Sequence, residues 1–469
     1  MRVLENLDPN RVFRYFEDIC SIPHGSGNTK AISDYCASFA EKHGLNYIQD
    51  EHNNIIIKKP ASNGYENHNT VILQGHLDMV CEKDADINFD FSSDGLKLYI
   101  NGDYISAHGT TLGGDDGIAV AMGLAILEDS SLPHPALEVL FTADEETGMY
   151  GADGLDASLL TGKILINADS EDEGVLTVGC AGGARAEVNY PVEFNDTDKD
   201  FYKIIISGLI GGHSGIEINK GRLNANKLLA KFLTEVGEFQ IANISGGAKD
   251  NVIPNRSECI IATDFDIFTL TEAFKNENYT ENDSGLEIKI EKCEKMPVID
   301  SYNSKRIIDM LNEFPDSVQK MSDDIKTLVQ TSLNLGVIEI ENGIFRATFS
   351  VRSSVNKEKT ELLKKLEDIA EKYNASYSEH GHYPAWEYRR NSPLRDTMVE
   401  VFEKLYNQKP VIDVIHAGLE CGIFCDKIPG LDAVSFGPNM KDIHTSREML
   451  SISSVNRTYK YLCEILKAL

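Results

Sequence analysis

A short acidic turn ahead of a long apolar run is the feature that most constrains how this chain can fold. Asp115 and Asp116 stand between glycines in the stretch Gly113-Gly114-Asp115-Asp116-Gly117. The run that follows, Ile118 to Leu127, is apolar on every side, so a helix formed by it should be buried. Carboxylates that enter a core are costly unless they are paired or bind a metal ion. A glycine-rich turn with a capping aspartate would explain this stretch if it stood alone.

Short apolar strands alternate with helices on both sides of this turn. Strands are predicted at 54–59, 70–74, 137–142, 163–167, 411–414 and 433–436. The alternation favours an α/β fold with a mixed, mainly parallel sheet covered by helices. Ligands of such sheets bind beyond the carboxyl ends of the strands. The acidic and imidazole side chains that directly follow these strands are His76, Glu145, Glu146 and Asp169.

The pattern of predicted strands and helices changes twice along the chain. Residues 1–185 carry the first part of the strand–helix alternation, and residues 386–469 resume it. Between them, residues 186–385 predict an inserted α+β domain, in which a strand followed by a helix occurs twice, at 201–236 and at 345–373, a pattern that an internal duplication would also produce. We therefore expect one α/β domain in two parts, interrupted by a second domain.

Composition excludes several classes of partner. A formal net charge of −29 repels phosphate backbones, so neither a nucleic acid nor an anionic membrane is expected as a partner. The first residues contain no apolar signal core, and no stretch approaches the length of a membrane span. Nine cysteines without a disulfide-type spacing indicate reduced thiols and a cytoplasmic protein.

Scattered acids and histidines could together form a centre for two metal ions. Such centres hold ions about 3.5–4 Å apart and need a bridging carboxylate with further ligands on each side. The candidate ligands in this chain are His76, Asp115, Glu146, Asp169 and His444. Glu145 is a spare carboxylate beside one of them and suits general-base catalysis. Taken singly, each has an ordinary alternative as a core histidine, a solvated turn, a helix cap or a surface residue.

Several motifs in sequence order carry a family resemblance. They are Gly75-His76-Leu77-Asp78, Gly113-Gly114-Asp115-Asp116-Gly117, Asp144-Glu145-Glu146-Thr147-Gly148, Asn167-Ala168-Asp169 and Ile443-His444-Thr445. Together they resemble the motif set of the di-zinc metallopeptidases, in which a lid domain interrupts the catalytic domain. Two further stretches resemble the aminoacyl-histidine dipeptidase branch of that family: Val351-Arg352-Ser353-Ser354 and His416-Ala417-Gly418-Leu419-Glu420-Cys421-Gly422.

The resemblance implies a role for each motif residue. Asp115 would bridge the two metal ions, and the peptide bond that follows it would be cis. His76 and Asp169 would complete one metal site, and Glu146 and His444 the other. The remaining roles would be those of Asp78, which orients His76, and of Glu145, the general base.

In the lid, the resemblance implies residues that bind substrate. Gly211-Gly212-His213-Ser214-Gly215 is similar to the family's histidine loop, whose imidazole contacts the substrate carbonyl. Asn251 and Arg352 match positions that hold the substrate carboxylate, and a guanidinium suits a carboxylate because it can bind both oxygens. Outside the lid, in the returning catalytic part, Gly418 would be a further substrate-binding position.

These expectations add up to a metal-dependent dipeptidase that acts on short peptides, mainly dipeptides such as Xaa-His. The resemblance implies hydrolysis by a metal-bound hydroxide, with Glu145 taking a proton from the water. The cofactors would be two divalent ions, most readily zinc, although cobalt and manganese also suit these ligands. The protein would be a monomer or a homodimer. The alternatives are an N-acyl amino acid deacylase on the same scaffold and a non-catalytic metal-binding assembly protein.

Overall fold

A computed structural model describes residues 2–469 and separates them into two compact units. The first unit comprises the chain up to Gly179 together with Tyr388–Val414 and Leu419–Leu469. The second comprises Cys180–Glu387 and the short segment Ile415–Gly418. Within the described residues, no helix combines the length and the apolar character needed to span a membrane.

The first unit is built from helices on both sides of a mixed sheet. Its α-helices are Asn10–Cys20, Lys30–Lys42, Gly114–Glu128, Tyr150–Gly154, Pro393–Tyr406, Glu420–Lys427 and Ile452–Ala468. Its main sheet contains, in spatial order, Asn46–Gln49, Ile55–Lys59, Leu137–Thr142, Val71–His76, Ile164–Asn167, Asp432–Ser435, Val175–Cys180 and Val411–Ile415. A smaller sheet contains Met440–Lys441, Met449–Ser451, Tyr104–Ala107 and Leu98–Asn101.

The centre of the main sheet is parallel, and antiparallel strands join it towards its edges. Val71–His76 runs parallel to Leu137–Thr142 on one side and to Ile164–Asn167 on the other. Asp432–Ser435 continues the parallel order. Every residue of Val71–His76 and Leu137–Thr142 is buried, so the side chains on both faces of these strands are covered, as they are in buried parallel strands. The predicted fold class is therefore confirmed.

The helix Gly114–Glu128 lies in the core as its composition predicts. Every residue from Gly114 to Leu127 is buried. Its first turn is irregular, since Asp115 and Asp116 have non-helical backbone angles and the peptide bond between them is cis, as the family resemblance implied. The two acids therefore enter the core at the start of this helix.

Glu138 stabilises the opposite, N-terminal end of the parallel strands. Its carboxylate is buried, accepts the N–H groups of Thr161 and Gly162 at 2.8 and 3.0 Å, and pairs with Lys58 at 2.9 Å. Hydrogen bonds to a charged group contribute about 1.5–3 kcal/mol each. We expect Glu138→Gln to lower the free energy of unfolding by about that amount, measured by urea unfolding followed by circular dichroism. An unchanged midpoint would contradict this role.

The second unit is organised around an antiparallel sheet. Its α-helices are Ala225–Glu235, Thr271–Glu277, Ser301–Glu313 and Asn356–Lys372. The sheet contains, in spatial order, Glu287–Lys292, Asp200–Ser207, Ser257–Thr263, Gln240–Gly246, Val329–Glu341, Ile344–Ser353, Gly182–Pro191 and Ser376–Tyr383, with Ser317–Met321 beside Val329–Glu341. Shorter strands are Phe194–Asn195, Gly212–His213, Val252–Ile253 and Val298–Ile299. The helices pack their apolar faces on this sheet to form its core.

The segment 415–418 is the part of the second unit that the sequence patterns did not predict. We expected it within the returning α/β part, 386–469. In the structure, Ala181 N–H donates to the Ile415 carbonyl at 3.1 Å, and His416 contacts Ser332. A peptide of four residues has no periodicity of its own, so its partners decide where it belongs.

Candidate metal and substrate site

The carboxyl ends of three neighbouring strands carry most of the polar side chains singled out from the sequence. His76 is the last residue of its strand and lies in register beside Thr142. Glu145 and Glu146 lie in the turn after the strand that ends at Thr142. Asp169 follows the strand that ends at Asn167. Parallel pairing brings these strand ends to one edge of the sheet.

Asp115 lies between two imidazoles at this edge. Its Oδ1 is 3.1 Å from His76 Nε2, and its Oδ2 is 3.2 Å from His444 Nε2. The outer contacts continue to Glu146, whose Oε1 is 3.0 Å from His444 Nε2, and to Asp169, whose Oδ1 is 3.7 Å from His76 Nε2. All the metal ligands proposed from the sequence therefore lie in one cluster.

The electrostatics of the cluster are dominated by buried negative charge. Burial raises the pKa of Glu145 well above its ordinary value, and burial also raises the pKa of Asp169. Hydrogen bonds to Asp115 and Glu146 raise the pKa of His444 to about 10. Burial opposes ionisation of Asp115, but contacts with His444 and His76 hold its pKa below its ordinary value. These pKa shifts reflect an excess of acidic groups at this edge of the sheet, which bound cations would offset.

The donor atoms fit divalent metal ions. Three groups have ligand atoms that all lie within 4.8 Å of one another: His76 with Asp116 and Asp169, His76 with Glu145 and Glu146, and Asp115 with Glu146 and His444. Imidazole nitrogen and carboxylate oxygen are ligands that zinc accepts. Asp116 Oδ1 is buried and has no hydrogen-bond partner among residues 2–469. The cluster is therefore a candidate metal centre.

Asp78 contacts two parts of this cluster. His76 Nδ1 donates to its main-chain carbonyl at 3.0 Å and lies 3.5 Å from its carboxylate, which fixes the ring with Nε2 towards Asp115. The carboxylate accepts the N–H groups of Glu145 and Glu146 at 3.0 and 3.3 Å. The second contact was not predicted, because nothing in the sequence links residues so far apart.

A buried polar network beneath the cluster was also missed. Glu420 Oε2 accepts Gln74 Nε2 at 2.5 Å and the Thr142 hydroxyl at 2.7 Å. Asn167 Nδ2 in turn donates to Gln74 Oε1 at 2.6 Å. Burial raises the pKa of Glu420 to about 8. The sequence signal that could have indicated this network is the occurrence of Gln74 and Asn167 as polar residues within apolar strands.

In the second unit, His213 is held as a hydrogen-bond donor. Its main-chain N–H donates to Glu217 Oε2 at 2.9 Å. Its Nδ1 accepts the N–H groups of Gly215 and Ile216 at 3.1 and 3.3 Å, so the ring proton is placed on Nε2. Burial, and then the charge of Arg352, lower the pKa of His213. The imidazole is therefore neutral, and its Nε2–H can donate a hydrogen bond. Asn251 lies next to this loop, and its carbonyl accepts the Ser214 N–H at 2.9 Å.

Arg352 belongs to a second polar group in the same unit. It lies in register with Ser332 on the adjacent strand, and its Nη1 donates to the Tyr383 hydroxyl at 3.1 Å. Its Nε is buried and has no hydrogen-bond partner within the described chain, 2–469. His416 Nε2 lies 2.7 Å from the Ser332 hydroxyl, and burial together with the Arg352 charge lowers its pKa to about 3. Gly418 ends this segment, half-buried.

Comparisons with known proteins cover nearly the whole chain. A family model described as "Peptidase family M20/M25/M40" matches residues 72–468. The cytosol non-specific dipeptidase of Escherichia coli (strain K12) is 37% identical over 482 residues, which span 100% of this chain and 99% of that protein. The crystal structure of aminoacylhistidine dipeptidase from Vibrio alginolyticus has a TM-score of 0.94 at 35% identity, over 99% of this chain and 98% of that one. A tripeptidase from Staphylococcus aureus, 16% identical with a TM-score of 0.58 over 98% of both chains, shares the fold alone.

Proposed function

Because the chain belongs to the M20/M25/M40 peptidase family, we propose that it is a metal-dependent dipeptidase that hydrolyses short peptides such as Xaa-His dipeptides. The observation that carries the proposal is the position of Asp115 between His76 and His444. The full-length relatives reported above bear the names of dipeptidases, which supports the same substrate class. The name of the Escherichia coli relative also supports a cytosolic location.

The residues that would hold two divalent ions are those of the acidic cluster. Asp115 would bridge them, His76 and Asp169 would complete one site, and Glu146 and His444 the other. When bound, the ions would supply Lewis-acid polarisation of the substrate carbonyl and would lower the pKa of water. Zinc suits the donor set best, and cobalt or manganese would also bind.

Glu145 is proposed as the general base. It lies in a partly buried turn beside the ligand Glu146, and Asp78 holds the main chain of that turn. Its carboxylate oxygen lies within 4.8 Å of ligand atoms of His76 and Glu146. Glu145 would take a proton from the attacking water and later return it to the leaving amine. The neighbouring Asp78 would act by orienting His76.

The second unit supplies the residues proposed to bind substrate. His213 would donate its Nε2–H to the scissile carbonyl oxygen, where negative charge develops. Arg352 would bind the terminal carboxylate, since its guanidinium can donate two parallel hydrogen bonds. Asn251 and Gly418 are proposed to contact the same end of the substrate. A requirement for a free carboxylate would restrict the enzyme to exopeptidase substrates.

The two alternatives are less well supported. An N-acyl amino acid deacylase and a non-catalytic assembly protein would both use the same ligands, but the full-length relatives are named as dipeptidases. A purely structural metal site would also have no need of a partly buried carboxylate such as Glu145 beside a ligand.

A substrate panel with and without chelator tests this function. We expect purified protein to release free amino acids from dipeptides, including Xaa-His, and not from N-acetyl amino acids. Activity should disappear after metal removal and return when zinc, cobalt or manganese is added. Elemental analysis of the untreated protein should find two divalent ions per chain. Cleavage of acylated amino acids in preference to dipeptides, or activity that survives complete metal removal, would overturn the proposal.

A further inference from the structure

Glu448 is a buried acid that the proposed mechanism does not use. It is 3% exposed and lies four residues after His444. No predicted motif includes it, and it belongs to none of the three groups of potential metal ligands described above. A buried carboxylate without a cation beside it needs hydrogen-bond donors, so its partners indicate what it does.

Its partners are consecutive main-chain N–H groups of the turn that leads to Asp115. Oε2 accepts Leu112 N–H at 2.7 Å and Gly113 N–H at 3.1 Å. Oε1 accepts Gly114 N–H at 2.7 Å, and Asp115 N–H lies 3.4 Å from the same oxygen. Successive N–H groups that point into one concavity form an anion-binding nest, and here the anion is a side chain of the protein itself.

The glycines before Asp115 make this nest possible. Gly113 has φ +67°, a left-handed conformation that other residues adopt only with strain. A Cβ on Gly114 would lie 3.1 Å from Glu448 Oε1, closer than the carboxylate could tolerate without moving. The left-handed conformation of Gly113 and the close approach of Glu448 to Gly114 thus explain the Gly-Gly pair of the acidic turn.

The nest determines where the Asp115 carboxylate points. Asp115 Oδ1 and Oδ2 must reach His76 and His444 at 3.1 and 3.2 Å at the same time. A rotation of the main chain just before Asp115 would move both oxygens away from these imidazoles. Glu448 prevents such a rotation because its two oxygens hold the N–H groups that precede Asp115.

Glu448 also belongs to the loop that carries His444. Its own N–H donates to the Thr445 carbonyl at 3.1 Å, and the Thr445 hydroxyl donates to the Asp442 carbonyl at 2.7 Å. One short turn therefore carries His444 and, through the Glu448 carboxylate, is hydrogen-bonded to the turn of Asp115. Asp115 and Glu448 are 333 residues apart in the chain, and the strand that follows Glu448 pairs with Tyr104–Ala107, so this contact adds to a strand pairing nearby.

We propose that Glu448 is a positioning residue that presets Asp115 and His444 for two divalent cations before the cations bind. The proposal rests on the metal site of the proposed function. Glu448 touches neither substrate nor cation and acts through the main chain of the Asp115 turn. Its loss should therefore weaken metal binding while the rest of the fold persists.

Zinc binding to the metal-stripped, full-length protein tests the proposal. In Glu448→Gln the amide N–H groups of the side chain would face the main-chain N–H groups of the nest and could not accept hydrogen bonds from them. The turn before Asp115 should therefore be held less firmly. We expect about 10–100-fold weaker zinc affinity, the scale of losing a residue that supports a metal ligand. Affinity would be measured by competition with a chromophoric chelator, and folding by circular dichroism. Glu448→Asp keeps the charge but shortens the reach, and we expect a smaller loss in the same direction.

Glu138→Gln is the matched control. Glu138 is equally buried and also accepts two consecutive main-chain N–H groups, but it lies at the other end of the parallel strands. This change should lower the free energy of unfolding but leave zinc affinity within about twofold of the unmutated value. Glu138 lies away from the metal ligands, so its loss should affect the stability of the fold and not the zinc site. Equal loss of affinity in the two variants would overturn the specific role of Glu448.

A measurement on the unmutated protein covers the case in which the Glu448 variants do not fold. Hydrogen exchange of the metal-free protein should show the amides of residues 112–115 protected before any zinc is added. Rapid exchange of these amides without metal would overturn the proposal, as would unchanged zinc affinity in folded Glu448→Gln. If the unmutated protein binds no divalent ion at all, the proposed function itself fails, and that outcome is distinct from both.

Discussion

Glu145→Gln is expected to lower kcat by about 10²–10⁴-fold, the contribution typical of a general base. Glutamine keeps the shape of glutamate but cannot accept a proton from water at neutral pH. The metal content should stay at the unmutated level, because the proposed ligands remain in place. Stopped assays on a dipeptide, together with elemental analysis of the same sample, measure both quantities.

Asp144→Asn provides the control for this change. Asp144 precedes Glu145 in the same turn, and its carboxylate accepts the Gly27 N–H at 2.6 Å. Its φ of 58° suits asparagine, so the same acid-to-amide change should be tolerated there. Its kcat should remain within a few-fold of the unmutated value. If Glu145→Gln retained near-normal turnover, Glu145 would be removed from the role of base.

Arg352→Ala is expected to separate substrates by their C-terminal group. Truncating one partner of a buried charge pair costs about 2–5 kcal/mol, or roughly 30-fold to several thousandfold in kcat/KM. This loss should apply to dipeptides with a free carboxylate. Peptide amides lack the partner charge, so their already slow cleavage should change little. Comparing kcat/KM for matched acid and amide substrates measures the difference directly.

Arg346→Ala is the corresponding control. Arg346 lies on the same strand as Arg352, but it pairs with Glu339 at 3.1 Å and is partly exposed. Its removal should leave both substrate classes unaffected. Equal losses on acids and amides in Arg352→Ala would argue that this guanidinium supports the strand and does not bind a carboxylate.

The family and the α/β architecture could be predicted because their signals are local. Val71–His76 and Leu137–Thr142 are short apolar runs that end in polar residues, and such runs indicate buried parallel strands. The family resemblance is confirmed by the comparisons over the full chain. Strand ends also indicated which side chains would meet, since parallel strands share an edge.

The supporting contacts could not be predicted because they join distant parts of the chain. Glu448 and the turn of Asp115 meet only after folding, as do Asp78 and the turn of Glu145. A lone acid in a loop looks the same in sequence whether it is solvated or holds a row of main-chain N–H groups. The assignment of segment 415–418 to the second unit could not be predicted either, because four residues carry no periodic pattern.

The place of Asp432–Ser435 between Ile164–Asn167 and Val175–Cys180 has a consequence for biosynthesis. During translation, the first strands of this sheet are synthesised long before Asp432–Ser435. Until that strand is made, the edge of Ile164–Asn167 in the nascent chain lacks its partner. Unpaired edges template association with other chains. Translation at about 5–20 residues per second makes that wait last on the order of tens of seconds. Premature termination after residue 180 should therefore yield an aggregating fragment that depends on chaperones, even though it contains most of the acidic cluster.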